Sequence, residues 1–233
     1  MNSKVFVAMP AFGMMNSAYT TMSLVALTKA LTERGWMNGF GPMSFPDLPD
    51  LRAMFLTLWF DTLNATHILF VDADMKFEPD LVLDMIAFDQ PLVGCLYPKR
   101  TLPIEWVGSG LPDHETVREG GFITMESVGM GVTLIRRDCV QKMIDCNAVT
   151  IETDLTRHAS GKHLLAQGVK RMIRAFDRID LPRGRLSEDN SFCYRHRQIG
   201  GTVWASINHM VWHMGDYGFA GRYADVLERK DQE

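Results

Sequence analysis

A chain of 233 residues is long enough for one large α/β domain with its own core, or for two small ones. Hydrophobic residues make up 46% and charged residues 22%, and a net charge of −4 provides no field that would draw the protein to nucleic acid or to an anionic membrane. Four cysteines (Cys95, Cys139, Cys146 and Cys193) lack Cys-x-x-Cys spacing and are too few to staple a small fold. They suit a reducing compartment, and no apolar run reaches the roughly 20 residues of a membrane span. A soluble, cytoplasmic protein is expected.

In chain order, residues 4–9 read as a first strand. The opening apolar stretch has the outline of a signal peptide, but Pro10 and Gly13 interrupt it and no small-residue cleavage pattern follows. Residues 17–34 predict a helix with Met22, Val25, Ala26 and Leu31 buried and a stop at Gly35. After a loop rich in glycine and proline, residues 50–64 predict a second helix with Leu51, Met54, Phe55, Leu58 and Leu63 on its buried side. Residues 67–71 have the composition of a fully buried strand. Glu78-Pro79 opens a helix through Ile86, and residues 91–96, with Cys95 in the core, form a strand that ends in Tyr97-Pro98-Lys99-Arg100.

This alternation implies a three-layer α/β sheet, parallel in this half. Residues 101–126 hold scattered glycines and prolines and predict loops with short β segments. Gly129-Met130-Gly131 precedes a strand over 132–135, after which Asp138 is expected to cap a helix. Residues 150–186 carry eight basic residues against four acidic ones. Met172, Ile173, Phe176 and Ile179 predict a short amphipathic helix there. The stretch reads either as a solvated helix and loop or as a mobile basic flap over an anionic ligand. Ser187 opens a helix that runs to Gly200-Gly201, a last strand covers 202–205, and no repeat or linker divides the chain.

Three features carry chemistry. Asp72 and Asp74 end the buried strand, where open α/β sheets place ligands, and hard oxygen donors there suit Mg²⁺ or Mn²⁺. The same pair could also be a solvated strand end, since Asp-x-Asp is short and common. Glu188-Asp189 lies at a helix N-terminus, where the dipole keeps a carboxylate ionised and suited to act as a general base. It could equally be part of a capping box on Ser187. His213 sits among aromatics as either a structural residue or a metal ligand, with His209 as a competitor.

Taken in order, these features resemble the GT-A fold nucleotide-sugar-dependent glycosyltransferases, in particular the family-two-like group and its short stand-alone phage and bacterial members. The segments that carry the resemblance are residues 5–12, Phe-Val-Asp-Ala-Asp, the Gly129–Arg137 turn and strand, Leu-Ser-Glu-Asp from Leu186, Gly200-Gly201 and His213-Met214-Gly215. It implies a Rossmann-like α/β/α domain over 1–233 with a mainly parallel sheet. A nucleotide-binding half would cover about 1–100, and an acceptor half about 101–233, with a small β and loop region and the basic stretch 150–186.

The resemblance also implies residue roles. Pro10, Ala11, Phe12, Arg52, Asp72 and Ala73 would bind the nucleotide, while Asp72, Asp74 and His213 would serve a Mn²⁺ or Mg²⁺ ion, Asp74 directly. Asp189, with Glu188 beside it, would deprotonate the acceptor hydroxyl, and Gly129, Met130 and Gly131 would face the acceptor. The donor would be a nucleotide-diphosphate sugar. The acceptor could be a saccharide, a protein, a small molecule or a modified base. Where the family has a polar residue and Asn after the first-strand proline, this chain has Ala11-Phe12-Gly13. Two other readings share parts of the pattern: a sugar-phosphate nucleotidyltransferase, which would want a basic glycine-rich loop after the first strand, and a nucleotide-sugar-binding module without turnover.

Overall fold

The computed structural model describes residues 3–182 and 184–230; Arg183, one of the eight basic residues of the 150–186 stretch, lies outside the described residues. The chain opens with β1 (Val5–Pro10), α1 (Ala18–Glu33), β2 (Met37–Met43), α2 (Leu48–Thr62) and β3 (His67–Val71). It continues with β4 (Met75–Lys76), α3 (Pro79–Phe88), β5 (Leu92–Cys95), β6 (Tyr97–Pro98), β7 (Trp106–Val107), β8 (Ser109–Gly110), β9 (Arg118–Glu119), β10 (Phe122–Ser127) and β11 (Val132–Arg136). Next are α4 (Arg137–Asp145), β12 (Thr150–Glu152), α5 (Ala159–Ala166), β13 (Met172–Arg174), β14 (Asp180–Leu181) and β15 (Gly184–Arg185). The final elements are α6 (Glu188–Gln198), β16 (Val203–Ser206), β17 (Val211–Met214), β18 (Gly218–Gly221) and α7 (Ala224–Lys230).

The main sheet has the order β2-β1-β3-β11-β5-β16-β10-β8, with β9 beside β10. β2, β1, β3, β5 and β16 all point one way, and β11 and β10 are inserted against them. Strand residues alternate between two cores, as period-two side chains must. Ile68 and Phe70 of β3 join Leu51, Phe55 and Trp59 of α2, Val140 and Met143 of α4, and Phe192 of α6 on one face. Leu69 and Val71 join Leu24, Leu27 and Leu31 of α1 and Leu81, Val82 and Met85 of α3 on the other. The three-layer α/β arrangement expected from the alternation is therefore present. Cys95 is fully buried in this core, and all four cysteines are free thiols.

The far end of α2 is held by Arg137. Its guanidinium donates to the carbonyls of Trp59, Phe60, Leu63 and Ala65 at 2.7–3.1 Å, occupying acceptors that a helix C-terminus leaves unpaired. Asp138 does not cap α4 as expected. The N-cap is Arg136, and Asp138 instead accepts from the Arg136 side chain at 2.6 Å.

Two further expectations are corrected. α1 buries Thr20, Ser23, Leu24, Leu27 and Leu31, whereas Met22 and Val25 are 68% and 63% exposed. The buried polar positions have partners: Thr20 Oγ1 donates to the Ala73 carbonyl at 3.0 Å, and Ser23 Oγ accepts from Phe77 N–H at 3.0 Å. Apolar spacing picked out the buried Leu31 but misplaced Met22 and Val25, because short hydroxyl residues dock the loop that follows β3.

Residues 172–179 are not a helix. Met172–Arg174 form β13, paired with β12, and Ile173 N–H donates to Thr57 Oγ1 at 2.9 Å. Phe176 stacks on Phe192 and meets Phe70 edge-on. Four of the basic side chains pair with carboxylates: Arg171 with Asp61, Arg174 with Asp50 and Asp177, Arg157 with Asp154, and Arg185 with Asp180. Asp50 and Asp61 lie on α2, so Arg171 and Arg174 fasten the segment to that helix.

Candidate active site

The site forms where β3 ends. Asp72 N–H donates to the Gly131 carbonyl at 2.9 Å, which ties the loop to the turn before β11. The Ala73 carbonyl accepts from Ser17 N–H at 2.8 Å, at the cap of α1, as well as from Thr20. The Asp74 carbonyl accepts from Met214 N–H at 2.7 Å. β17 pairs with β4 in the register Trp212 to Lys76 and His213 to Met75, which places His213 beside Asp74.

Arg52 is the hub. It lies on α2 in the run Leu51-Arg52-Ala53-Met54 and is 1% exposed. Its Nη2 donates to both oxygens of Asp72 at 3.1 and 3.2 Å, and its Nη1 donates to Asp189 Oδ1 at 2.5 Å. Asp189 Oδ2 accepts from Met130 N–H at 3.2 Å. Two carboxylates share one guanidinium, with the buried Glu188 close by, so the cluster carries excess negative charge in a poorly hydrated place. Burial pushes the Asp189 carboxyl up to about 7; Arg52 opposes that rise, while Glu188 and Asp72 add to it. Asp189 is fixed by the α6 N-terminus, where the Ser187 hydroxyl accepts from Asn190 N–H. The Ser187 cap and the Asp189 site therefore coexist, although sequence alone left them as alternatives.

Asp74 sits next to this hub in a different environment. His213 Nε2 is 3.5 Å from Asp74 Oδ2, and Arg100 forms an ion pair with the same oxygen. The Pro98 carbonyl lies 3.0 Å from His213 Nδ1 and can only accept, so Nδ1 carries the proton and Nε2 presents a lone pair to Asp74. Burial first and Arg100 second lower the basicity of His213. Asp74 Oδ1 is buried without a hydrogen-bond partner. An orphaned carboxylate oxygen and a deprotonated imidazole nitrogen fit two ligands of a divalent ion. Among the described residues, no group of three His, Cys, Asp or Glu side chains is arranged to hold a metal ion. Asp72 gives both oxygens to Arg52, so the fit rests on Asp74 and His213. His209 pairs with Asp84 at 2.9 Å and takes no part.

A cavity of about 500 Å³ opens beside these acids and is lined by Pro10, Phe12, Leu51, Asp72, Ala73 and Asp74. Of the residues expected to meet a nucleotide, Phe12 is exposed at its rim, whereas Ala11 is fully buried, its N–H donating to the Met43 carbonyl, and does not line it. Arg52 lies beneath Asp72 rather than on the cavity wall.

The Gly129-Met130-Gly131 turn does not face an open acceptor space as expected. Met130 is fully buried, and a Cβ on Gly131 would come within 2.7 Å of the Tyr97 ring. A Cβ on Gly129 would collide with Tyr97 Oη and lie 2.6 Å from Val107. The turn packs under Tyr97 and presents its Met130 N–H to Asp189. A second cleft, of about 300 Å³, is lined by Ser109, Ser127, Asn190, Tyr194, Arg185 and Arg197. Asn190 follows Asp189 directly, and Ser127 precedes the glycine turn by two residues.

Tyr97 and Arg100 were not assigned a role by sequence reasoning. Tyr97 is buried, meets the His213 ring edge-on at 5.4 Å, and has its phenol pushed well up by burial, with Asp72 and Asp189 adding to the shift. The available signal was the run Tyr97-Pro98-Lys99-Arg100 at the end of a strand in the same sheet.

No family model matches the chain, and no curated protein matches it. Solved structures do. A197 from STIV aligns with a TM-score of 0.53 at 14% identity, covering 91% of this chain and 86% of that one. A Drosophila β-1,4-galactosyltransferase 7 variant in complex with manganese, UDP-Gal and xylobiose aligns at a TM-score of 0.46 and 15% identity, over 98% of this chain and 74% of that one. A glycosyltransferase involved in glycosylation of the major capsid of PBCV-1 aligns at 0.36 and 10%, over 62% and 65%. The last two scores are too low to bear on this chain, and no described helix is long and apolar enough to cross a membrane. The chain thus has a three-layer α/β fold that it shares with A197 from STIV.

Proposed function

We propose that this protein is a GT-A-type glycosyltransferase that moves a sugar from a nucleotide-diphosphate donor to an acceptor hydroxyl with the help of Mn²⁺ or Mg²⁺. The observation that carries the reading is the buried Arg52, which joins Asp72 at the end of β3 to Asp189 at the start of α6. A strand-end acid next to an open cavity, coupled to a second acid of raised basicity, is an arrangement suited to donor binding on one side and proton removal on the other.

In this reading the cavity beside Pro10, Phe12 and Ala73 takes the nucleoside, with the exposed Phe12 ring available for stacking. Asp74 and His213 would hold the divalent ion, which when bound supplies positive charge to the departing diphosphate. The acceptor hydroxyl attacks the anomeric carbon, the bond from that carbon to the diphosphate oxygen breaks, and the hydroxyl proton passes to the Asp189 carboxylate. A single displacement of this kind inverts the anomeric centre. Arg52 and Met130 N–H hold the Asp189 carboxylate in place, one at each oxygen. The cleft with Asn190, Tyr194 and Ser127 is the acceptor side, and its hydroxyl, amide and aromatic groups suit a saccharide.

The test is thermal-shift screening of UDP-, GDP-, CMP- and dTDP-sugars with and without Mn²⁺, followed by product analysis. Stabilisation by a nucleotide sugar and release of a nucleoside diphosphate are expected, with the product's anomeric configuration by NMR deciding inversion. Release of pyrophosphate would instead mean nucleotidyl transfer. Tight nucleotide binding without any transfer would mean a binding module.

A further inference from the structure

The cation that stands on Asp74 in this structure belongs to the protein itself. Arg100 pairs with Asp74 Oδ2, the oxygen that His213 Nε2 also faces at 3.5 Å. His213 Nδ1 faces the Pro98 carbonyl at 3.0 Å, so Nε2 is the ring nitrogen turned toward Asp74, and the Arg100 guanidinium shares the same carboxylate oxygen with it. Arg100 is partly exposed, with 43% of its side-chain surface open, and its stem passes over Gly215, where a Cβ would lie 3.3 Å from Arg100 Cδ. Such a contact is weak and reversible. Pro98, which orients His213, is the last residue of β6, two residues before Arg100, and its contact is through backbone, so Arg100 can leave Asp74 without disturbing the imidazole.

We infer that Arg100 is a diphosphate-binding residue that exchanges with the divalent ion: it neutralises Asp74 when no ion is bound and turns its guanidinium to the diphosphate when the ion takes Asp74 and His213. This rests on the glycosyltransferase reading above. The planar fork of arginine matches two phosphate oxygens, and a displaced Arg100 keeps the site's positive charge while changing its partner. The exchange gives the site two cations for one leaving group, one resident and one recruited.

Mn²⁺ alone, and inorganic pyrophosphate in the presence of Mn²⁺, are the probes. Binding of Mn²⁺, followed by loss of the free-ion electron paramagnetic resonance signal, is compared for the full chain and for Arg100→Gln, Arg100→Lys, Asp74→Asn and His213→Ala. Arg100→Gln is expected to bind Mn²⁺ about two- to fivefold more tightly, because its competitor is gone. Pyrophosphate binding by the same variant with Mn²⁺ present is expected to weaken about tenfold, with Arg100→Lys in between. Unchanged or weaker Mn²⁺ binding in Arg100→Gln, with Asp74→Asn and His213→Ala still impaired, overturns the exchange and leaves the ion site standing. Mn²⁺ binding that ignores Asp74 and His213 overturns both the exchange and the metal-dependent reading.

Discussion

Arg52 Nη1 and Asp189 Oδ1 lie 2.5 Å apart although 137 residues separate them along the chain. That contact makes the N-terminal and C-terminal acids one electrostatic unit, because the same guanidinium also holds Asp72. Replacing Arg52 by Met is expected to lower stability by about 3 kcal/mol, since two half-buried carboxylates would be left without their counter-charge. Arg52→Lys keeps the charge but not the fork, and should retain the fold while losing most transfer. Chemical denaturation and a transfer assay together separate the two effects.

Asp189 makes the pH behaviour specific. Its carboxyl is raised to about 7, mainly by burial, and a base works only when ionised, so kcat/KM is expected to rise through about pH 7 and level off above it. Asp189→Asn should reduce transfer about 10²-fold or more while leaving donor binding in place. The stability effect has the opposite sign. A carboxyl raised in the folded state contributes stability below its ordinary range and loses that contribution as pH rises to about 7. The loss begins at the ordinary carboxylate value of 3.8 and is complete near pH 7, so thermal melts should show the advantage of Asp189→Asn over the natural protein growing from pH 5 to pH 8, by about 1 kcal/mol or more.

Gly131→Ala should destabilise by about 1–3 kcal/mol, because its Cβ meets the ring of Tyr97, which is buried against His213 and has nowhere to move. Reduced activity beyond the loss of stability, measured at a temperature where the variant is folded, would show that the strain reaches Asp189 through Met130 N–H.

The two C-terminal histidines should part company. His213→Ala is expected to weaken Mn²⁺ binding about tenfold, the lower end for loss of a group at a metal site. His209→Ala, whose imidazole is engaged with Asp84, should leave it unaltered. Isothermal titration of both variants decides it.

Arg137→Met removes the guanidinium donor from the carbonyls of Phe60, Leu63 and Ala65 at and just beyond the end of α2, leaving Trp59 only its Leu63 N–H, and is expected to reduce stability by about 2–3 kcal/mol. Hydrogen exchange should show the last turn of α2 opening first.

The alternation of strands and helices, the buried β3 and the Ser187 cap were legible because each is a local property of the chain. The packed face of α1 was only partly legible: Leu31 is buried, but Met22 and Val25 are not. Thr20 and Ser23 are buried because two loop groups, Ala73 and Phe77, bond to them, and hydrophobic spacing is blind to that. β13 was misread as a helix because its partner strand and Thr57 decide its shape, both distant in sequence. In the site, Asp72, Asp74, Asp189 and His213 were identifiable by residue type. Their division into an Arg52-centred pair and an Arg100-centred pair was not, because it depends on which cation the fold brings to each acid. Arg52 did leave a trace, as a lone charge in the apolar part of α2. The glycine turn was misjudged in direction, since only Tyr97 reveals that its side chains have no open space to face.

The carbonyls of Ala73 and Asp74 are claimed from opposite directions, one by the first helix and the other by Met214 N–H at the end of β17. During synthesis, a nascent chain that has passed Asp74 has its acids but lacks the strand that orients them. In the proposed reading, ion binding can then mature only after β17 has docked on β4, so the emerging protein should hold no Mn²⁺ until β17 has left the ribosome.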